Sequence, residues 1–282
     1  MKHFIENEYF RIGVKEMGAE LTSVYSKEND FEYLWQGNPD IWNGQSPILF
    51  PIVGRLIDDK FALDGKEYSM PKHGFARRKH WDFLGSDGDS MSFRLCDDEE
   101  TRKLYPFSFE FIMTFTLEGN KISVKHEIRN TGDNTMYFSL GAHPAFNCDI
   151  GDKLVFSEKE TLEAFKIDLE KSLVLPEMTP VMKDETDLVI TEDIFKEDAL
   201  IFKGVKSDFV TLESENHSVK FALGGAPYLG IWAKPGAPYV CIEPWFGLND
   251  IKDKKVDFTE KVAINKLVSG DTFKYIWSTE MK

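Results

Sequence analysis

The stretch FSFEFIMTFTLEGNKISVKHEIRN, residues 107–130, decides the fold class. From Phe107 to Leu117 the apolar side chains recur at every second position, which is the period of a half-buried strand. A Gly-Asn pair at 119–120 is a turn signal, and the alternation resumes over residues 121–130. The stretch therefore predicts a β-hairpin.

Short alternating runs of the same kind recur along the rest of the chain. They are HWDFL and SMSFRL between residues 80 and 95, MYFSL near 140, YLGIWA, YVCIEPW and the closing FKYIWST. Strands at such regular intervals predict packed antiparallel sheets. The best helical segment is EETRKLY, residues 99–105, which Pro106 ends.

The segment from Ser157 to Asp198 is charge-rich and less regular, so we expect long loops and small strands there. It is nevertheless too apolar for a flexible linker. No internal repeat or low-complexity tract divides the chain. We therefore expect one domain over residues 1–282, an all-β fold built as a large antiparallel β-sandwich.

Composition excludes several classes of partner. The formal net charge of −14 would repel nucleic acid and anionic lipid, so we expect neither as a partner. The three cysteines lie far apart without CxxC spacing, which favours reduced thiols over a disulfide framework or a zinc site. The N-terminal MKHFIENEYF lacks a signal-peptide core, and no apolar run approaches the ~18 residues that span a bilayer. We expect a cytoplasmic protein.

Two motifs present a possible acid and a possible base. His143 in GAHPAFN and Glu243 in CIEPWFG each precede a proline. Because the proline ring crowds the preceding residue out of the α region, both side chains are presented from extended backbone, at a strand end, bulge or edge. A histidine in this position can equally bond a neighbouring carbonyl. Glu243 is harder to explain structurally, since burying an unpartnered carboxylate costs several kcal/mol.

Two further motifs and several aromatic residues have open roles. Arg55 in PILFPIVGRL needs acceptors, which are either a carboxylate or the hydroxyls of a ligand. His73 lies in PKHGFARR, a second run that combines polar groups with glycine and an aromatic residue. Trp232, Trp245 and Phe246 suit either an ordinary core or a face on which a sugar stacks.

Other chemistries lack their motifs. The sequence has no GxGxxG after a strand, no GxxxxGK[ST], no GxSxG and no HExxH. His73 and His143 could join Glu243 around a metal ion, but spacing gives no support for this. We expect no metal and no cofactor.

In combination, the four motifs PIVGRL, PKHGFARR, GAHPAFN and CIEPWFG resemble the aldose 1-epimerase, or galactose mutarotase, family. The resemblance covers nearly the whole chain and is greatest to a shorter bacterial branch, in which CIEPW replaces a LETQ-like sequence. It implies a galactose mutarotase-like supersandwich whose concave sheet holds a hexose. We expect a monomer or homodimer.

The resemblance implies that Glu243 is a general base and His143 a general acid. The base would take a proton from the anomeric hydroxyl and the acid would protonate the ring oxygen. The aldehyde then rotates and the ring closes on its other face. With reference pKa values near 4.3 and 6.5, the carboxylate would be ionised at neutral pH and the imidazole partly protonated.

The same resemblance assigns substrate-binding roles. His73 in the HG motif and Arg55 in the GR motif would bind the sugar. Asp198 in EDALIF and Trp232 in LGIWAKPG would provide a hydroxyl-binding carboxylate and an aromatic wall.

Three alternatives stay open at this level. A non-catalytic carbohydrate-binding protein needs aromatic walls but no converging acid and base. A glycoside hydrolase commonly needs two carboxylates ~5 to 9.5 Å apart, whereas the motif-borne partner of Glu243 is a histidine. Within the family, a hexose 6-phosphate is the third possibility, with Arg55, Arg77, Arg78 and Lys234 as candidate phosphate ligands.

Overall fold

The computed structural model describes residues 1–282, and most of the backbone is β-strand. The strands in chain order are β1 (Lys2–Glu6), β2 (Phe10–Lys15), β3 (Glu20–Ser26), β4 (Phe31–Glu32), β5 (Ile48–Leu49), β6 (Lys60–Leu63), β7 (Lys66–Ser69), β8 (Asp82–Asp87), β9 (Ser90–Cys96), β10 (Phe109–Glu118), β11 (Lys121–Asn130), β12 (Met136–Phe138), β13 (Leu140–Ala142), β14 (Ala145–Asn147), β15 (Lys153–Asp168), β16 (Leu173–Val189), β17 (Leu200–Lys203), β18 (Phe209–Glu213), β19 (Ser218–Ala222), β20 (Tyr228–Trp232), β21 (Tyr239–Phe246), β22 (Asn265–Leu267) and β23 (Thr272–Met281).

Helical structure is limited to one α-helix, α1 (Glu99–Leu104), and three single 3₁₀ turns. The predicted helix at 99–105 is thus confirmed. It begins at Asp98, whose side chain accepts a hydrogen bond from the backbone N–H of Thr101 in a capping box. The 3₁₀ turns are Ile57–Asp59, Ala76–Arg78 and Phe258–Glu260. None of these helices has the length and apolar character that a bilayer crossing requires.

The predicted hairpin is confirmed as β10 and β11, which pair from Phe109↔Asn130 to Glu118↔Lys121. It is part of an antiparallel sheet of 15 strands, in the order β5-β13-β21-β20-β17-β15-β18-β19-β23-β11-β10-β9-β8 along the main path. The buried side chains of this sheet join those of the smaller sheets and of several connections in one cluster of 67 residues. The predicted fold class, an all-β antiparallel sandwich, is confirmed.

The prediction of loops and small strands between Ser157 and Asp198 is wrong for most of that segment. The chain forms the longest hairpin of the protein there, β15 and β16, with 16 and 17 residues. Several register shifts interrupt the pairing, between Val155 and Phe165 along β15 among others. Each bulge inserts a residue and displaces the period-two pattern. Many positions of the hairpin also carry charged residues, because much of it faces solvent, and these residues hide the alternation of apolar and polar side chains.

The two proline motifs meet where the sheet is interrupted. β21 lies between β20 on one side and the successive short strands β13 and β14 on the other. His143 and Pro144 occupy the break between β13 and β14, as the motif predicts. Pro244 lies inside β21 rather than at its end, but β13 pairs only as far as Trp245 and β14 only from Cys241. The ladder on that side is therefore already open around Pro244.

We predict that Phe111→Ala lowers the free energy of unfolding by about 3–5 kcal/mol, because it removes a fully buried ring. Phe111 packs against Phe50 and Trp81 with ring centroids 5.2 and 5.0 Å apart. Urea denaturation measures this change. Thr116→Ala, on the opposite face of the same strand, is the control and should cost less than about 1 kcal/mol. Equal effects of the two substitutions would contradict the assigned inward face of β10.

Candidate active site

A hollow of about 460 Å³ opens over the middle of β20 and β21. Its size is within the range of small-molecule sites. Strands β15, β17, β20 and β21 supply part of its wall, and connections between strands supply the rest. The predicted residues that line it are His73, His143, Asp198, Trp232 and Glu243.

Glu243 and His143 lie face to face in this hollow. The pairing of β21 with β13 and β14 on either side of the break aligns His143 with Glu243. The imidazole Nε2 is 3.3 Å from the carboxylate Oε2. On the other side of the carboxylate, Gly230 of β20 is its strand partner. A Cβ at Gly230 would approach the Trp245 ring to 3.0 Å, so the absent side chain leaves room for this arrangement.

The hollow concentrates buried polar atoms without partners. Eleven buried side-chain atoms of the protein make no hydrogen bond, and five of them belong to residues of the hollow. They are Arg77 Nε, His143 Nδ1, Glu243 Oε2, Trp245 Nε1 and Asn249 Oδ1. Because a buried polar group without a partner is costly, such clustering indicates a place built for a ligand.

Burial controls the electrostatics of the pair. It raises the pKa of Glu243 well above its ordinary value, and the positive charge of Lys72 opposes this rise only partly. Burial lowers the pKa of His143 to about 3, with the positive charge of Arg77 adding to the effect. Burial thus shifts both groups towards their neutral forms, opposite to the ionised carboxylate and partly protonated imidazole that reference pKa values predict.

His73 is oriented by a contact between two of the sequence motifs. The backbone N–H of Gly54 donates to His73 Nδ1 at 3.1 Å, and His73 N donates to the carbonyl of Gly54 at 2.7 Å. Because Nδ1 accepts, the neutral ring carries its proton on Nε2. The next residue, Gly74, has a φ of 72°, and a Cβ there would lie 2.2 Å from the carbonyl oxygen of Phe50. Glycine is therefore required for the two segments to approach this closely.

Arg55 is not brought to this hollow, and its predicted role needs correction. Its Nε and Nη2 donate to the two carboxylate oxygens of Asp59, each at 2.7 Å. Arg55 lines a separate hollow of about 290 Å³ together with Lys252 and Asp253. The PIVGRL motif places Gly54 against His73. The guanidinium of Arg55, however, is paired with the carboxylate of Asp59, four residues further along the chain. Of the two acceptors that the sequence left open for Arg55, a carboxylate or a ligand, the structure shows the carboxylate.

Asp198 and Trp232 line the hollow as predicted from their weaker motifs. Asp198 has a φ of 74°, and its carboxylate accepts a hydrogen bond from the N–H of Ala199 at 2.8 Å. Its negative charge is one cause of the raised pKa of Glu243. Trp232 presents its ring edge-on to His143 at 5.7 Å between centroids.

Sequence reasoning missed Trp42, Lys72 and Asn249. Trp42 stacks on the His143 imidazole, with centroids 5.1 Å apart and an angle of 26° between the planes. Asn249 is buried, and its Nδ2 donates to the carbonyl of Ser172 at 2.7 Å, so its Oδ1 is free to accept. Arg77 lines the hollow, although the sequence suggested it only as a phosphate ligand. Lys72 and Arg77 lie in the PKHGFARR motif, whereas Trp42 and Asn249 stand in no motif that separates them from core or surface.

The chain belongs to the aldose 1-epimerase family, since the family model for aldose 1-epimerase matches residues 1–256. Protein LacX of Lactococcus lactis subsp. lactis, a plasmid-encoded relative, is 32% identical over 287 aligned positions that cover 96% of each chain. The family consists of isomerases, so an enzyme of mutarotase type is supported.

Solved structures agree with the family assignment. The galactose mutarotase related enzyme from Lactobacillus acidophilus superposes with a TM-score of 0.94 at 33% identity, covering 100% of this chain and 97% of the other. A galactose mutarotase-like protein from Lactobacillus casei superposes with a TM-score of 0.95 at 29% identity, with full coverage of both chains. The fold is therefore that of the galactose mutarotases.

We predict that the His143 imidazole of the folded protein stays neutral at about pH 5.5, where a histidine of reference pKa is mainly protonated. The physical reason is burial, which lowers its pKa to about 3. Ring ¹⁵N NMR shifts report the protonation state, and the signal lost in His143→Asn assigns the residue. A titration midpoint between about 6 and 7 would contradict the prediction.

The same shift has a consequence for stability. The unfolded chain takes up this proton near pH 6.5, whereas the folded chain does so only near pH 3. Acidification below about pH 6.5 therefore favours the unfolded state, and this contribution of His143 to stability is lost as the pH falls.

Proposed function

We propose that this protein interconverts the α and β anomers of a hexose by acid–base catalysis of ring opening and closure. The observation that carries the proposal is the buried pair of Glu243 and His143, 3.3 Å apart, in a hollow of sugar size. The family supports the reaction class.

Glu243 is the proposed base for the anomeric hydroxyl. Burial makes the carboxylate a stronger proton acceptor than an exposed glutamate, because its charged form lacks water. Its Oε2 has no partner in the hollow and is free to accept the hydroxyl.

His143 is the proposed acid for the ring oxygen. When Glu243 is ionised, its negative charge 3.3 Å away favours the protonated imidazole. One proton can then reside on either side chain, and each residue reverses its role when the ring closes. A single proton transfer of this kind is typically worth about 10² to 10⁴ in rate.

Neighbouring groups would hold the sugar. His73 offers its Nε2–H, and Asn249 and Asp198 offer acceptors for hydroxyl groups. Trp42 and Trp232 are edge-on to each other with centroids 5.5 Å apart, next to the imidazole. Their rings can cover the apolar C–H face of a pyranose. Fixing the sugar between the two catalytic groups lowers the barrier separately from proton transfer.

The geometry favours an enzyme over a binding protein. A binding protein has no need of a carboxylate and an imidazole that burial shifts in opposite directions within 3.3 Å of each other. A hydrolase is less consistent, since the nearest partner of Glu243 is an imidazole and not a second carboxylate.

We predict that Glu243→Gln lowers kcat at least about 10²-fold, because the amide cannot accept the proton. Polarimetry on fresh α-glucose and α-galactose measures the rate. The matched control is Glu160→Gln, which alters a buried glutamate that accepts from Ser207 outside the hollow and should leave turnover nearly normal. Normal turnover in a folded Glu243→Gln protein would remove Glu243 from the mechanism.

A phosphorylated hexose is the second candidate substrate, favoured by the charge of the hollow. Lys72, Arg77, Lys196 and Lys234 line it, although the whole chain carries a net charge of −14. Only two carboxylates, Asp198 and Glu243, lie among its lining residues. Positive charge collected in one hollow of an acidic protein favours an anionic ligand.

We predict that, if the substrate carries phosphate, Arg77→Met lowers kcat/KM for a hexose 6-phosphate at least about tenfold more than for the free hexose, because it removes a charge-assisted contact. Arg55→Met is the control, since that guanidinium is paired with Asp59 at the other hollow and should change neither value. Anomer exchange followed by NMR serves for both sugars. Equal losses on both sugars would assign Arg77 to the hexose itself.

A further inference from the structure

A third side chain with ligand chemistry lies against the catalytic pair. One ligand atom each from Cys241, His143 and Glu243 lies within 4.8 Å of the others, and all three residues are buried. Cys241 precedes Glu243 by two residues on β21, so both side chains point to the same face of the sheet. The proposed reaction has no use for the thiol.

The three groups match the preferences of zinc. Thiolate, imidazole and carboxylate are the usual protein ligands of Zn²⁺, and three protein ligands with a fourth open position form a common arrangement. Ligand atoms around a tetrahedral zinc ion lie about 3.3 to 3.6 Å apart, given its usual bond lengths. His143 Nε2 and Glu243 Oε2 already have this separation, at 3.3 Å. The thiol has to approach by little more than about 1 Å, which a side-chain rotation can supply.

A second observation points to a missing partner at this place. Glu243 Oε2 and His143 Nδ1 are both buried without a hydrogen bond. The carboxylate oxygen that faces His143 Nε2 therefore receives no hydrogen bond from the protein and is available to a cation. A divalent cation would supply the positive charge that Glu243 lacks, while Lys72 and Arg77 oppose it from the wall of the hollow. Zinc has the advantage over harder cations here because of the thiolate.

We propose that Zn²⁺ binds to Cys241, His143 and Glu243 and thereby inhibits anomer exchange. This inference rests on the proposed function only for the inhibition. Binding releases to solvent the thiol proton of Cys241 and any proton that the Glu243 carboxyl group holds, because both ligands bind deprotonated, and it involves no change of oxidation state. The ion occupies the carboxylate that must accept the anomeric proton, so metal and catalysis exclude each other.

The first test is the zinc dependence of the rate. Zinc chloride at about ten times its dissociation constant should leave about one tenth of the wild-type activity, because only metal-free protein turns over. Each variant is compared with its own zinc-free rate. Cys241→Ser should need at least about tenfold more zinc, because it loses the soft ligand. Cys96→Ser, on the exposed cysteine of β9, should keep the wild-type sensitivity.

The second test needs no catalysis. Cobalt chloride is the probe, since a thiolate bound to Co²⁺ gives a charge-transfer absorption in the near ultraviolet. Wild type and Cys96→Ser should show the band, and Cys241→Ser should not; Cys241→Ala serves if the serine variant fails to fold. The cluster of His3, Glu16 and His80 at the surface has no thiol, so cobalt bound there gives no such band.

The two tests separate the two proposals. An active enzyme without the band, or one that zinc inhibits equally after Cys241→Ser, would overturn the metal site and leave the proposed function intact. A protein with the band but no mutarotase activity would support the metal site and contradict the proposed function.

Discussion

The rest of the site depends on one constraint. The carboxylate of Glu243 and the imidazole of His143 are buried and face each other at a break in the sheet. Glu243 lies in β21, and His143 occupies the gap between the two short strands that pair with it. Neither the Oε2 of the acid nor the Nδ1 of the histidine has a hydrogen-bond partner. The fold maintains this costly arrangement because its large buried core stabilises the strands on either side.

Desolvation explains several properties of the site together. It raises the pKa of Glu243 and lowers that of His143, and under the proposed mechanism these opposite shifts assist the exchange of a proton with the sugar. It also makes the same atoms suitable for a divalent ion once the Cys241 thiol takes part. The two proposals therefore use the same buried atoms, once for proton transfer and once for a metal ion that blocks it.

The sequence was sufficient to predict an element of structure where a single local pattern determines that element. The alternation over residues 107–130 predicted β10 and β11, and the proline motifs predicted the break between two strands at His143. The long hairpin β15–β16 could not be predicted, because its bulges and its charged outer faces hide the alternation. The role of Arg55 also required coordinates, since the choice between Asp59 and a ligand depends on where the side chain points. Trp42 was missed because its stacking on His143 joins segments about a hundred residues apart.

The most direct test of the account is the structure of the protein with a hexose bound. We expect the anomeric hydroxyl within hydrogen-bond distance of Glu243 Oε2, the ring oxygen next to His143 and one sugar face against Trp42 or Trp232. A hexose bound at the hollow of Arg55 and Asp59, or with its anomeric centre turned away from Glu243, would contradict the central claim.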